Sequence, residues 1–456
     1  NEYNLLKSKG VWTKVDPREA STVPNIVNAH WDFSINWPKP SEPNLQEFHA
    51  KLIIDGGQQK QGIDFTETHS PTASYTSLRM MLSIAATRDY HLHHAYIERA
   101  LLNADMDTAV YVRAPQGAPK NHRGAVFKLH KAMEGLRQGH RLWHQMLDNT
   151  LKRMQFQPCK EEPCLYVYHK VCERTKKTVH CMILVYVDHL VFASSDVAFL
   201  VNVKASLAQL FQVKHLGLPT KVLGMRVSYN KEYKSIHLDC AEKIDDIANI
   251  LKITTEEAEY PTPIEFYPAL QPSLASIEDY PSIPTELYDY YNARIRSGIP
   301  FPESVYRSVL GKLQFIARTC RPDIAYAVHR LSSFGATPNA SFRRGMRHLV
   351  GYLAGSRMAT LVLGGEPGFH TEKPQIAVNV GCGPFLVKLP AAEAEKDSLG
   401  VETKYFLGRT TRLGFDGPVI DWDVHQSNLQ IKNYACLYVT HLSDCITHAQ
   451  CHTYLL

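Results

Sequence analysis

Two apolar runs broken by one polar step constrain this chain more than any other feature. Val179-His180-Cys181-Met182-Ile183-Leu184-Val185-Tyr186-Val187 leads into Asp188-His189, after which Leu190-Val191-Phe192-Ala193 resumes the apolar pattern. Short runs of this composition on either side of a polar pair specify a β-hairpin with its tip at residues 188–189. The tip alone leaves two readings open. It presents a carboxylate for chemistry, or it belongs to a core hairpin that happens to carry an aspartate in its turn.

Other blocks accompany the hairpin in a fixed order. Before it come Gln61-Gly62-Ile63-Asp64-Phe65-Thr66-Glu67-Thr68-His69-Ser70-Pro71, Ala100-Leu101-Leu102-Asn103, Val110-Tyr111-Val112 with Pro115 and Gly117, and Gly135-Leu136-Arg137-Gln138 with Arg141-Leu142-Trp143. After it come Phe211 with His215-Leu216-Gly217, Leu223-Gly224, and Tyr260-Pro261-Thr262-Pro263. Tyr306-Arg307-Ser308-Val309-Leu310-Gly311 and Thr319-Cys320-Arg321-Pro322-Asp323-Ile324-Ala325-Tyr326-Ala327-Val328 follow further on. Together these collinear blocks resemble the reverse transcriptase of Ty1/copia-type retrotransposons, to about residue 365 and more faintly beyond. The resemblance implies an α+β, right-hand polymerase fold of fingers, palm and thumb, followed by a connection and a ribonuclease H-like remnant. It also implies an RNA-directed DNA polymerase with ribonuclease H, Mg²⁺ as the cofactor, and an RNA or DNA template–primer as the partner.

Palms of this kind hold carboxylates against two divalent ions, one activating the primer hydroxyl and the other steadying the leaving pyrophosphate. The resemblance puts aspartates at Tyr96, Asp188 and His189, and this sequence keeps only Asp188. Mg²⁺ demands hard oxygen ligands in near-octahedral geometry. A neutral phenol with a pKa of about 10 is a poor ligand of that kind, and imidazole suits softer metals. The expectation is that no useful two-metal site forms. Leu101 stands where the resemblance implies an aromatic ring under the incoming sugar. Glu47-Phe48-His49-Ala50-Lys51-Leu52 replaces a basic segment that would meet a triphosphate, leaving Lys51 as its one cation, and Asp55 replaces a further lysine. Gln138 is retained at a position set beside the nucleotide. Leu142 and Trp143 admit either a nucleotide role through the same block or plain anchoring of a palm helix.

Ribonuclease H needs a carboxylate cluster of its own. The resemblance puts acids of that cluster at Asn379 and Ala435, so the sequence implies loss of hybrid cleavage, and the chain reaches Leu456 before the last acidic segments. Cys436, His441, Cys445, His448, Cys451 and His452 fall within 17 residues, side chains that zinc accepts. Their spacing lacks paired Cys-x-x-Cys arms, and the alternative is a frayed terminus.

With 456 residues, 44% hydrophobic and 21% charged, the chain is long and apolar enough for two or three domains and excludes the disordered class. No apolar run approaches the roughly 18 residues of a membrane span. The net charge of +5 fits nucleic-acid binding and ordinary solubility equally. Scattered cysteines and the absence of a signal-like start point to an intracellular place, cytoplasm or nucleus, or to a fragment of a longer polyprotein. The expected organisation is fingers and palm over 1–210, thumb over 211–263, linker over 264–304, connection over 305–364, and a degenerate, truncated ribonuclease H-like region over 365–456. Eight of the 26 prolines lie between Tyr260 and Pro302, which marks the linker. Apolar spacing at Leu142, Met146, Leu147 and Leu151 predicts a helix over 141–154, and another is expected over 341–353. Three functional readings follow: a Pol polyprotein fragment inactivated by loss of metal-binding carboxylates, a domesticated non-catalytic nucleic-acid-binding or scaffold protein, and a functional reverse transcriptase.

Overall fold

The computed structural model describes residues 2–36, 47–171, 178–260 and 302–364, apart from single positions within them, and five short strands beyond residue 380. One compact unit comprises residues 1–74 and 91–218, and a second comprises 75–90 and 219 onward. In the first unit the chain lays down β1 (Trp12–Lys14), β2 (Ala29–Asn36), β3 (Glu47–Ile54), β4 (His91–Ile97), β5 (Tyr111–Arg113), β6 (Val126–Leu129), β7 (Gln157–Pro158), β8 (Leu165–Val171), β9 (Thr178–Tyr186), β10 (His189–Ser194) and β11 (Val213–Gly217).

The hairpin β9–β10 lies inside a six-stranded antiparallel sheet of order β11-β4-β10-β9-β8-β7. Central strands with both faces covered read as continuous apolar runs, and Cys181–Val185 is buried without interruption. The tip falls one residue earlier than expected, because Tyr186 pairs directly with His189 and the turn is Val187-Asp188. That two-residue connection keeps Leu190 and Phe192 on the same buried face as Val185 and Ile183. A slip of one residue would turn every side chain to the opposite face.

Two helices cover that face. Gly139–Arg153 buries Leu142, Trp143, Leu147 and Leu151, the expected helix with a start two residues earlier, and Val197–Leu210 buries Leu200, Val203 and Leu207. These residues join Ala95, Ile97, Ile183, Leu190, Phe192 and Phe211 in one core. A second core gathers Tyr3, Leu6, Val11, Leu52, Ile54, Val112, Phe127 and Leu136 around the β1-β6-β5 sheet and the β2–β3 ribbon. The Gly135 block has a steric cause: φ is +87° there, and a Cβ would lie 1.9 Å from the Ile54 carbonyl oxygen.

The second unit takes in the helix Tyr75–Thr87, buried almost all round from Ser77 to Ala86. Its four-stranded antiparallel sheet comprises β12 (Lys221–Val222), β13 (Met225–Asn230), β14 (Ser235–Asp239) and β15 (Leu361–Gly364). Helices Ala241–Leu251, Glu303–Thr319, Ala325–Ser332 and Ala340–Gly355 complete it. The last matches the helix expected over 341–353. Arg79 is buried and donates from Nη1 to the carbonyl of Arg318 at 2.9 Å, satisfying a helix end that has no internal partner.

The block around Cys320-Arg321-Pro322-Asp323 is explained by burial. Arg321 is 2% exposed and binds Asp323 through Nε at 2.9 Å and Nη2 at 2.7 Å. Tyr352 donates its hydroxyl to the same carboxylate at 2.7 Å, and Arg321 also reaches the Ser356 carbonyl at 3.0 Å. The thiols of Cys240 and Cys320 lie beside this network, 3.0 Å apart and buried.

Beyond residue 380, Gly381–Cys382, Asp423–His425 and Cys436–Tyr438 pair in one antiparallel sheet, and Leu386–Val387 pairs with Lys404–Tyr405. The positions Asn379 and Ala435, the histidines and cysteines from His441 onward, and the proline-rich linker over 264–301 lie outside the described residues.

Breaking a buried ion pair strands the surviving charge, which costs about 3–5 kcal/mol. Arg321→Ala is therefore expected to destabilise the chain by about that amount in denaturant unfolding, with Asp323→Asn milder because the amide still accepts and donates.

Candidate functional site

The pairing of β4 with β10 assembles the site. Its register sets His189 opposite Tyr96 and Val191 opposite His94, so Tyr96, His94 and His189 share one face of the sheet. The opposite face carries Ala95, Ile97, Leu190 and Phe192 into the core. The positions read from sequence as Tyr96, Asp188 and His189 thus meet at one sheet end. The rings of Tyr96 and His189 are 5.1 Å apart.

The turn is strained and held. Val187 has φ +57°, a region that β-branched residues rarely enter. Trp143 donates its indole N–H to the Val187 carbonyl at 2.6 Å, and the Ile97 amide donates to the Asp188 carbonyl at 2.8 Å. Of the two roles open to Trp143, anchoring is the one on view: the ring is 1% exposed, packs edge-on against Phe211, and ties the helix to the turn.

His94 was not read from the sequence, yet it completes the site. Two residues before Tyr96 in a strand, it shares that residue's face and lies diagonal to His189. His94 Nε2 and His189 Nδ1 are 2.9 Å apart, and His189 Nε2 is 4.0 Å from Asp188 Oδ1. Burial, with His189 and His93 adding to it, pushes the His94 imidazole down to about 4, so it is neutral at pH 7. Burial, then Asp188 and Glu134, push the Tyr96 phenol up, so it remains protonated. Burial also raises the Asp188 carboxyl, with Glu134 adding to it and His189 and Lys51 opposing.

The site presents one carboxylate, one phenol and two imidazoles. That donor set does not fit a pair of Mg²⁺ ions, which need several hard oxygens each. Among the described residues no group of three or more His, Cys, Asp or Glu side chains is arranged to hold a metal.

The nucleotide positions are also placed. Lys51 Nζ lies 2.9 Å from Glu134 Oε1, an internal partner for the one cation left on β3. Asp55 accepts from Gln58 Nε2 at 2.8 Å, and Phe48 and His49 are exposed on β3. Leu101 is 4% exposed and belongs to the sheet–helix core. Gln138 is fully enclosed: its amide donates to the Asp64 carbonyl at 2.8 Å and accepts from Gln59 Nε2 at 3.0 Å. Asp64, also buried, accepts from the Lys60 amide at 2.7 Å, which accounts for the Gly62-Ile63-Asp64-Phe65 block as a turn.

Known proteins share much of this sequence. The family description "Reverse transcriptase (RNA-dependent DNA polymerase)" matches residues 11–265. A retrovirus-related Pol polyprotein from transposon TNT 1-94 of Nicotiana tabacum is 27% identical over 368 residues, 80% of this chain and 26% of that protein. A retrovirus-related Pol polyprotein from transposon RE1 of Arabidopsis thaliana is 29% identical over 357 residues, 78% of this chain and 22% of that protein. A putative transposon Ty5-1 protein of Saccharomyces cerevisiae is 29% identical over 287 residues, 63% of this chain and 81% of that protein. The chain thus spans about a quarter of the two plant polyproteins.

Two measurements check the site. Trp143→Phe keeps the ring in the core and removes the donor to Val187, and is expected to cost about 1–2 kcal/mol in denaturant unfolding. His93 and His94 are both pushed from 6.5 to about 4, so the unfolded chain takes up protons first as pH falls. Stability is therefore full above pH 6.5 and declines from there toward pH 4, and His94→Gln is expected to flatten part of that decline in melting curves.

Proposed function

Because the chain belongs to the reverse transcriptase (RNA-dependent DNA polymerase) family, on the Ty1/copia side of retrotransposon Pol polyproteins, we propose that it is a Pol fragment whose palm has outlived its chemistry. The observation that carries this reading is the composition of the sheet end where β4 meets β10: Asp188 is accompanied there by Tyr96, His94 and His189 rather than by acids. A metal-dependent nucleotidyl transfer needs ions that lower the pKa of the attacking hydroxyl and screen the leaving pyrophosphate. One carboxylate, itself raised by burial, does not gather two such ions.

The phosphate side supports the same conclusion. Lys51 is matched by Glu134, so the strand that would meet a triphosphate offers little net positive charge. Gln138 is held inside the fold by Gln59 and Asp64. We assign residues 1–210 to fingers and palm, 211–263 to the thumb, 264–304 to a linker, 305–364 to the connection and 365–456 to a ribonuclease H-like region without its acids. A template–primer duplex is the partner the family implies, and the working place is inside the cell.

The test is a primer–template assay on the purified chain, scoring duplex binding by gel shift and extension with Mg²⁺ and then Mn²⁺. No extension is expected. Binding without extension supports a retained cleft and hence a domesticated binding role, and extension overturns the reading. Tyr96→Asp combined with His189→Asp is expected to bring extension from below detection to a measurable rate. If that double variant folds and stays silent, the failure lies in the triphosphate side as well.

A further inference from the structure

Buried cysteines mostly behave as small hydrophobes, and two of them do so here. Burial pushes the thiols of Cys164 and Cys181 each up to about 12, so neither supplies the thiolate that reacts. Cys240 and Cys320 differ. Their sulfurs lie 3.0 Å apart although the residues are 80 positions apart in sequence. Cys240 caps the start of the helix Ala241–Leu251, and Cys320 closes the end of the helix Glu303–Thr319. Donation from the Cys320 thiol pushes the Cys240 thiol down against the effect of burial, and a helix start is a place where a thiolate is favoured. Burial, and then the same contact, push Cys320 up. The pair thus joins one sulfur suited to attack with one that stays protonated beside it. A disulfide bond is about 2.0 Å long, so closing it takes about half an ångström from each side chain.

We propose that Cys240 and Cys320 form a reversible disulfide, made by hydrogen peroxide and broken by cellular thiols, that clasps these two helices of the second unit. Cys240 keeps 4% of its surface exposed and Cys320 none, so the small oxidant meets Cys240 first. The Cys240 thiolate attacks one peroxide oxygen, the O–O bond breaks, and the departing hydroxide takes up a proton as water. The Cys320 sulfur then attacks the resulting sulfenic sulfur, an S–S bond forms, the S–O bond breaks, and the second hydroxide leaves with the Cys320 proton as water. Two thiols lose two electrons in all, and one peroxide gains them. A thiol such as glutathione reverses the step and is itself oxidised to a disulfide. The cross-link constrains the unfolded chain more than the folded one, so oxidation stabilises the second unit. Tyr96, Asp188 and His189 belong to the first unit, so the clasp is independent of nucleotidyl transfer.

The test treats the full reduced chain with a small molar excess of hydrogen peroxide, quenches with catalase, alkylates in denaturant and digests without reductant. Peptide mass spectrometry is expected to show Cys240 joined to Cys320 as the main disulfide, and dithiothreitol is expected to remove it. The oxidised chain is expected to unfold at a urea concentration about 1 M higher than the reduced one. Cys320→Ala is expected to abolish that shift and to leave Cys240 as a sulfenic acid trapped by dimedone. Linkage mapping on the unsubstituted chain carries the test should that variant not fold. An oxidised chain in which Cys240 and Cys320 are both alkylated, or are joined to other cysteines instead, overturns the proposal.

Discussion

Everything at the candidate site depends on the register of one antiparallel pair, β4 with β10. Because side chains alternate across a strand, that register fixes at once which residues enter the core and which meet at the sheet end. Ala95, Ile97, Leu190 and Phe192 go inward against the helices Gly139–Arg153 and Val197–Leu210. Tyr96, His94 and His189 are left together on the other face. The core therefore specifies the site geometry regardless of what chemistry the site residues can perform.

Architecture and chemistry are thus separate demands on these residues. Three carboxylates gathered without ions repel one another and cost stability, since each raises the pKa of its neighbours. A phenol and an imidazole beside one carboxylate avoid that repulsion, and they find partners here: His189 with His94, Tyr96 packed against His189. Neither Tyr96 nor His189 belongs to the sheet–helix core. Exchanges at Trp143, Gly135 or Arg321 would be resisted, because each satisfies a buried group or fits a space with no room for more.

The legible parts of the fold were those written in apolar periodicity. The hairpin and the helices 139–153 and 340–355 follow from residue spacing, and the hairpin tip was missed by one place because Asp188-His189 reads as a polar pair while the core fixes the loop at Val187-Asp188. Less legible was anything decided by distant contacts. The helix Tyr75–Thr87 lies between segments of the first unit in sequence and belongs to the second in space, and no local pattern signals that. At the site, the Tyr96 and His189 positions came from family resemblance. His94 and Glu134 did not, because a histidine two places along a strand and a glutamate before Gly135 acquire meaning only once strands are paired. A rule was available: residues at i and i+2 of a strand face the same way, so the neighbours of Tyr96 were worth reading with it.

Val187 shows that packing alone can hold a strained backbone. A β-branched residue at φ +57° costs on the order of 1–3 kcal/mol and persists only where its surroundings over-determine it. Here the protein's own groups do so. The Trp143 indole holds the Val187 carbonyl, the Ile97 amide holds the next one, and Val185 and Leu190 on either side of the turn are each buried to within 2%. Relaxing the turn would unmake those hydrogen bonds and shift two buried strands out of register, a larger loss than the strain itself. The conformation of the turn is thus a product of packing, and it places one histidine against another.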